Sequence, residues 1–299
     1  MNVFITGAGG FVGGTVAQRL ISEGHSVRGL IRGEQRAQAL CALGIEPVIG
    51  SLEDSALLVR EAKSADGVIH TADSDHRPAI EAIIMALRGS DKPFIHTSGS
   101  SVIGDDAWGN RKSEAIYDED TPMVVEPLKQ PRRDIELRIL AAADEGVRAI
   151  VICPSNIYGT GTGIHQRSVQ IPYLVDQARE SGIVRIVGKG LNCWSNVHIE
   201  DVAELYLLAL QKAPAGAFYF IENGEASFLE IGTAIARRLD LGAVQSWSVE
   251  EASAYWGELH AHYTFGTNSR VRAKRARREL GWNPRHASVT RWIETEMPL

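Results

Sequence analysis

A glycine-rich segment near the start of the chain holds the residues best suited to chemistry. Residues 6–13, TGAGGFVG, stand between an apolar run that predicts a strand and a periodic run that predicts a helix. Gly7 permits a tight turn, Gly10 lets backbone amides approach a ligand, and Gly13 lets the helix lie close to the strand. Free amides at the start of such a helix bind an anionic diphosphate. We therefore predict a dinucleotide-binding turn that consists of Gly7, Gly9, Gly10, Phe11, Val12 and Gly13.

The end of the second predicted strand indicates which dinucleotide the turn would hold. Proteins that bind NAD place an acidic side chain on the ribose hydroxyls about 20 residues after the turn. Here that position is occupied by Arg32, whose guanidinium can pair with a 2′-phosphate, and Arg36 adds a second charge. We predict NADP(H) as the preferred cofactor. NAD(H) remains the alternative. In that case Arg32 would be only a solvated residue at the end of a strand.

Short apolar runs alternate with amphipathic stretches through the first half of the chain. The runs cover residues 3–5, 27–31, 47–49, 67–70, 94–96 and 149–152. Apolar strands separated by helices, such as the one predicted over 12–23, indicate a parallel sheet that is covered on both faces. We predict an α/β fold, a Rossmann-type doubly wound parallel sheet over 1–165. A smaller, mixed α/β substrate lobe over 166–299 would return strands and helices to this core.

Composition and charge exclude several classes of function. A net charge of −6 and a pI near 5.9 give no reason to expect nucleic acid as a partner. No apolar run is long enough to cross a membrane, and the first residues lack a secretory leader, so we expect a cytoplasmic protein. Three widely spaced cysteines show no metal-ligand pattern, and no metal is predicted. The basic run 270–278 predicts the solvated face of a late helix, with a phosphate-binding stripe as the alternative.

Further motifs follow one another along nearly the whole chain. They are GSLED (50–54), VIHTAD (68–73), FIHTSGSSVIGD (94–105), DEDTP (118–122), CPSNIYGTG (153–161), VGKGLNCWSNVHIEDVAELYLLAL (187–210) and LGWNP (280–284). With TGAGGFVG, their order and spacing resemble the extended short-chain dehydrogenase/reductase superfamily, in its atypical, epimerase/dehydratase-like branch. The resemblance implies NAD(P) over the sheet edge and a small-molecule substrate between core and lobe. The additional cofactor contacts that it implies are Leu52, Thr71, Ala72, Thr97, Pro154 and Ile157.

The proton-transfer residues depart from the pattern of that superfamily. Its members use a tyrosine as proton donor and a lysine four residues later, which lowers the phenol pKa and holds the nicotinamide ribose. Aligning the following helix on Glu136 puts Leu128 at the tyrosine position and Arg132 at the lysine position. Arg132 can keep the ribose contact and the positive charge. Leu128 cannot donate a proton.

Several side chains are candidates for the missing chemistry. Ser98 and Ser100 flank the usual serine position and could stabilise an oxyanion. As replacement proton donor we rank Tyr158 first, because the resemblance places its loop beside the nicotinamide. The other candidates are Tyr173, His165 and Lys129. His165 and Trp194 also match places where extended relatives contact substrate.

The resulting prediction is an NADPH-dependent oxidoreductase that reduces a carbonyl or polarised double bond of a small, partly apolar molecule. Two alternatives stay open. A sugar-nucleotide epimerase or dehydratase would retain its NAD(P) through the cycle, and a non-catalytic NADP-binding sensor would need no proton donor. Homodimers are common in the superfamily, but the sequence points to no particular interface.

Overall fold

The computed structural model describes residues 1–298, and strands and helices alternate along most of that length. The strands are β1 (Asn2–Thr6), β2 (Ser26–Ile31), β3 (Glu46–Ile49), β4 (Gly67–His70), β5 (Pro93–Thr97), β6 (Arg148–Pro154), β7 (Asn156–Tyr158), β8 (Arg185–Val187), β9 (Cys193–His198), β10 (Ala217–Ile221), β11 (Glu225–Ser227) and β12 (Gln245–Trp247). The helices are α1 (Phe11–Ser22), α2 (Glu34–Ala42), α3 (Ser55–Ser64), α4 (Arg77–Leu87), α5 (Gln130–Ala141), α6 (Gln170–Ser181), α7 (Ile199–Lys212), α8 (Phe228–Arg238), α9 (Val249–Trp256), α10 (Glu258–Tyr263), α11 (Lys274–Leu280) and α12 (Val289–Thr295).

Seven of these strands form one parallel sheet in the order β3-β2-β1-β4-β5-β6-β10. Successive residues of β1 contribute to cores on opposite faces of the sheet. Val3 packs in a cluster with α1 and α7, whereas Phe4 packs in a cluster with α3 and α4. Because both faces are covered, a strand such as β4 is buried at every position. The predicted fold class is confirmed, and each predicted apolar run lies within one of β1–β6.

The carboxyl-terminal part of the chain forms a smaller lobe and also completes the main sheet. Its strands form a three-stranded sheet, β11-β9-β7, and a pair, β12-β8. Phe228, Phe265 and Trp256 belong to a separate buried cluster in this lobe. The chain also returns to the main sheet, since β10 pairs with β6 and α7 packs on α1. Within residues 1–298 no helix has the length and apolar character needed to cross a membrane.

The basic run 270–278 is less exposed than the sequence predicts. Its cations form ion pairs with acidic side chains elsewhere: Arg270 and Arg272 pair with Glu225, Lys274 with Asp118, Arg275 with Asp120, and Arg277 with Glu222. Arg270 is buried. The predicted late helix is α11, on which Lys274 and Arg278 are exposed. The buried Arg270 lies before this helix, and its ion pair joins that segment to Glu225.

Candidate active site

The turn between β1 and α1 has the geometry that its glycines predict. Gly7 has a φ of +79°, which side chains disfavour, and its carbonyl accepts a hydrogen bond of 2.8 Å from the Gly10 N–H. A Cβ atom added at Gly13 would lie 2.3 Å from both Gly7 O and Thr71 Oγ1. Any side chain at Gly13 would push the helix off the strand, so the close approach requires glycine.

The start of α1 offers unpaired donors beside this turn. Gly10 is the N-cap and has no side chain to satisfy the first turn of the helix. Within residues 1–298, the amides of Phe11, Val12 and Gly13 donate to no backbone acceptor. Unpaired amides with the positive end of a helix dipole are the donor set that a diphosphate requires. The cradle therefore fits a dinucleotide.

A cleft of about 440 Å³ extends from this turn along the carboxyl edge of the sheet. Seven of the predicted cofactor residues line it: Gly7, Gly9, Gly10, Arg32, Arg36, Leu52 and Ala72. Asp73 and Glu53 line it too, and Glu53 bonds with His76 at 2.9 Å. His165, predicted as a substrate contact, lies along this cleft.

The other predicted cofactor residues lie in the walls. Thr71 Oγ1 donates to Thr6 O at 2.8 Å, and Thr97 Oγ1 bonds with the Tyr206 hydroxyl at 2.7 Å. Pro154 is buried at the end of β6, and Ile157 packs against the core cluster around α1. The hydroxyls of both threonines thus form hydrogen bonds within the walls of the site.

Arg132, at the position of the usual lysine, lies between the first cleft and a second one. Its Nε donates to Asp75 Oδ1 at 2.8 Å, and its Nη2 donates to Asp75 Oδ2. The guanidinium lowers the pKa of the Asp75 carboxyl. Arg132 Nη1 also lies 3.4 Å from Ser101 Oγ. Since Asp75 follows β4 close to Asp73 of the first cleft, Arg132 connects the two clefts.

Both predicted oxyanion donors are instead held inside the protein. Ser98 is buried and donates to the carboxylate of Glu136, which also accepts from Arg133 Nη1 at 2.6 Å. Burial raises the pKa of the Glu136 carboxyl. Ser100 is buried and bonds with Ser269 Oγ at 2.7 Å. The assignment of Ser98 and Ser100 is corrected, because neither residue lines the first or the second cleft.

Tyr158, ranked first as proton donor, is buried in the carboxyl-terminal lobe. Its ring packs edge-on against His198, and its hydroxyl donates to His286 O at 3.0 Å. Burial and the Asp201 carboxylate raise the pKa of this phenol. A buried hydroxyl that already donates to a backbone carbonyl cannot protonate a substrate in either cleft. This prediction was wrong because local sequence does not show which side of the loop a side chain faces.

Trp194, predicted as a substrate contact, is a core residue. It is buried, and its Nε1–H donates to Thr267 O at 2.8 Å. Its neighbours belong to the apolar cluster of the lobe. The indole N–H therefore already joins β9 to the segment before α11. Trp194 is a core residue and not a substrate contact, which corrects the prediction.

The second cleft, of about 260 Å³, opens beside Arg132. Its lining includes Ser101, Leu128, Lys129, Tyr263 and Thr267. Leu128 projects with 55% of its surface exposed, and the Lys129 ammonium lies 5.3 Å from the centroid of the Tyr263 ring. The sequence offered Lys129 as a minor candidate and gave no signal for Tyr263, because nothing local distinguishes this tyrosine from a packing residue.

A third group of polar residues closes the lobe onto the core. The rings of His198 and His286 stack with centroids 3.9 Å apart, and ligand atoms of both lie with those of Glu200 within 4.8 Å of one another. His198 Nδ1 accepts from the Glu200 N–H and so caps α7. Since the rings meet face to face, their in-plane nitrogen lone pairs run side by side. The two histidines therefore pack against each other, and His198 caps α7.

Cradle, cleft and sheet together define an NAD(P)-dependent oxidoreductase of the extended short-chain dehydrogenase/reductase type. Residues 3–221 match the NAD dependent epimerase/dehydratase family, and the chain belongs to that family. The resemblance seen in the sequence is thereby confirmed.

Three similar proteins illustrate the range of the family. An uncharacterized protein of Schizosaccharomyces pombe is 34% identical over 304 residues, covering 97% of each chain. The 4-hydroxy-2-methyl-3-oxo-4-farnesyl-3,4-dihydroquinoline-1-oxide ketoreductase of Stigmatella aurantiaca is 26% identical over 319 residues, covering 94% of this chain and 92% of its own. Among solved structures, the dTDP-glucose 4,6-dehydratase of Bacillus anthracis in complex with NAD superposes with a TM-score of 0.78 at 18% identity, over 99% of this chain and 95% of the other. The cofactor class that the description of the matching family names is a nicotinamide dinucleotide.

Proposed function

We propose that this protein is an NADPH-dependent reductase of a carbonyl group, or of a double bond polarised by one, in a small and partly apolar molecule. The observation that carries the proposal is a pair of clefts that Arg132 relates through its contacts with Asp75 and Ser101. One contains the glycine turn with Arg32 and Arg36, and the other contains polar side chains around an exposed Leu128. Arg132 lies between them.

The preference for NADPH rests on charge at the far end of the first cleft. Arg32 follows β2 directly, where an NAD-binding protein would carry a carboxylate. Arg32 and Arg36 both line the cleft and, among residues 1–298, neither forms an ion pair with an acidic side chain. Two exposed guanidinium groups suit a 2′-phosphate, since they bind it through charge-assisted hydrogen bonds.

The roles of the remaining residues follow from their places. The amides at the start of α1 would bind the diphosphate, and Arg132 would hold the nicotinamide ribose at the junction of the clefts. The bound cofactor supplies hydride. Leu128 and the stacked Trp108 and His262 rings would contact apolar parts of the substrate, since His262 lines the second cleft and packs on Trp108 at 3.8 Å.

The name of the Stigmatella relative describes a ketone that carries a farnesyl chain. That name supports a ketone attached to an apolar group as the substrate class, in a cleft of about 260 Å³ that is open to solvent. A modest ring or short acyl chain matches the size of this cleft, and longer apolar substituents would extend outward.

NADPH oxidation across a panel of ketones tests the function. The panel should contain 2-alkyl-3-oxo esters, cyclic ketones and enones, each run with NADPH and with NADH. We expect turnover with at least one ketone and a higher kcat/KM for NADPH. Tightly retained NAD(H) after purification, with turnover of sugar nucleotides, would replace the proposal by an epimerase or dehydratase. Bound NADPH without oxidation on any substrate would favour a sensor.

A further inference from the structure

We propose that Lys129 is the proton donor of this reductase, in place of the tyrosine whose position Leu128 occupies, and that the Tyr263 ring from the carboxyl-terminal lobe holds its ammonium over the second cleft. This inference rests on the proposed function and names a residue for its reaction. It places the donor one residue after the usual position and makes the site depend on both parts of the chain.

The side chain of Lys129 does not follow the direction that a residue inside a regular helix would have. Residues 127–129 form a single 3-10 turn, in which the Lys129 N–H donates to Glu126 O at 2.8 Å, and α5 begins only at Gln130. Leu128 is left projecting into solvent beside the cleft. Lys129 is half-buried and turns toward Tyr263 at the end of α10.

Among the residues that the structure describes, the Lys129 ammonium has no carboxylate partner. Within residues 1–298 no acidic oxygen lies within ion-pairing distance of Lys129 Nζ. Three carboxylates line the same cleft: Asp105 accepts from Asn268, Asp106 pairs with Arg111, and Glu126 forms no ion pair within residues 1–298. A half-buried ammonium that meets only the face of an aromatic ring keeps its three donors available for an external oxygen.

Burial and a neighbouring cation favour loss of the Lys129 proton. Burial lowers the pKa of the ammonium, and the Arg132 guanidinium one turn further along lowers it too, against a smaller opposite effect of Asp75. The other titratable groups that face the cleft are Glu126, His262, Tyr263, Asp105 and Asp106. A lysine whose pKa is lowered toward the working pH is an effective general acid, which is the requirement for this position.

The proposed reaction adds a hydride and a proton across the carbonyl group. With NADPH bound, the carbonyl carbon would receive hydride from the cofactor, and the C=O π electron pair would move to oxygen. Lys129 Nζ gives one proton to that oxygen, which becomes a hydroxyl group. The neutral amine then regains a proton from water. Arg132, which reaches Ser101 at the cleft wall, supplies positive charge near the same oxygen.

Three variants test the assignment by turnover. Lys129→Met should lower kcat about a hundredfold with little change in NADPH binding. Lys129→Arg should be nearly as slow, since a guanidinium keeps the charge but does not release its proton. The exposed Lys63→Met on α3 is the matched control and should keep the wild-type rate. Full activity of Lys129→Met would overturn the proposal, as would a loss in Tyr263→Phe as large as in Lys129→Met, which would assign the proton to the phenol.

An NMR titration gives a result that does not need turnover. After reductive methylation with isotope-labelled methyl groups, one lysine resonance should titrate at lower pH than the others and be absent from Lys129→Arg. Tyr263→Leu should lower the pKa of that resonance further, because the ring face stabilises the ammonium. If every lysine titrates together, the inference is wrong even where the enzyme reduces ketones. If the wild type reduces no ketone but the shifted resonance is present, the proposed ketone reduction is wrong. The proposed environment of Lys129 is then still supported.

Discussion

Asp75 and Arg132 meet through two hydrogen bonds, one of them 2.8 Å from Nε to Oδ1, although they come from a loop after β4 and from α5. The planar carboxylate therefore fixes the plane of the guanidinium. This orientation aims Nη1 at Ser101, on the wall of the second cleft. A lysine at this position could not be fixed in the same way, because its ammonium rotates freely.

Substituting either partner should distinguish the effect of the Arg132 charge from the effect of its fixed orientation. Arg132→Ala should weaken NADPH binding and lower kcat/KM by about tenfold or more, about 1.4 kcal/mol. Asp75→Asn should cost less, since an amide still accepts one hydrogen bond. Fluorescence titration and steady-state kinetics measure both. Tighter NADPH binding by Asp75→Asn would contradict the positioning role, because it would mean that Asp75 withholds the guanidinium from the cofactor.

Arg32 should control the choice between the two coenzymes. Arg32→Ala is expected to weaken NADPH binding by about 1.5–3 kcal/mol, the range for a hydrogen bond to a charged group, and to leave NADH binding almost unchanged. Calorimetric titration with each coenzyme checks this. Arg179→Ala, on α6 and outside the first cleft, is the control. Equal losses for both coenzymes would show that Arg32 does not contact a 2′-phosphate.

Tyr158→Phe should affect stability and leave catalysis intact. The variant removes the 3.0 Å hydrogen bond from the Tyr158 hydroxyl to His286 O, which keeps Asn223 Nδ2 as its other donor. A lost hydrogen bond of this kind typically costs about 0.5–1.5 kcal/mol. Urea unfolding should show this decrease, while kcat stays within about twofold of wild type. A tenfold slower enzyme of unchanged stability would restore Tyr158 as the proton donor.

The sequence predicts the frame of this protein better than its catalytic side chains, for a physical reason. A parallel strand such as β4 is buried on both faces, so its apolar run is visible without any tertiary information. The conformation of Gly7 is likewise a local property of the turn. In contrast, the contact between Lys129 and Tyr263 joins distant parts of the chain, and the burial of Tyr158 depends on how the lobe folds. No local pattern contains either fact.

A buried histidine in the main sheet should make the protein sensitive to acid. His70 is fully buried on β4, where Nδ1 bonds with Thr6 Oγ1 at 2.7 Å and Nε2 bonds with Asp73 O at 2.8 Å. Burial lowers its pKa to about 4 from a usual 6.5. Between these pH values the unfolded chain binds a proton that the folded chain does not, so stability is complete above pH 6.5 and falls as the pH drops toward 4.

Urea unfolding at a series of pH values should show this fall in stability, and His70→Gln should show a shallower one. Identical slopes would mean that other groups govern the acid response.

Gly13→Ala tests the cradle on which cofactor binding depends. The added methyl group would lie 2.3 Å from Gly7 O and from Thr71 Oγ1, so α1 would have to move away from β1. We expect a lower melting temperature and NADPH binding weakened by about tenfold or more, since the amides of the first helical turn would no longer face the diphosphate together. Gly242→Ala is the matched control, because a methyl group there meets no atom of residues 1–298 within 4 Å. Thermal unfolding with and without NADPH measures both effects. If Gly13→Ala binds NADPH as tightly as Gly242→Ala does, the diphosphate does not bind at the start of α1.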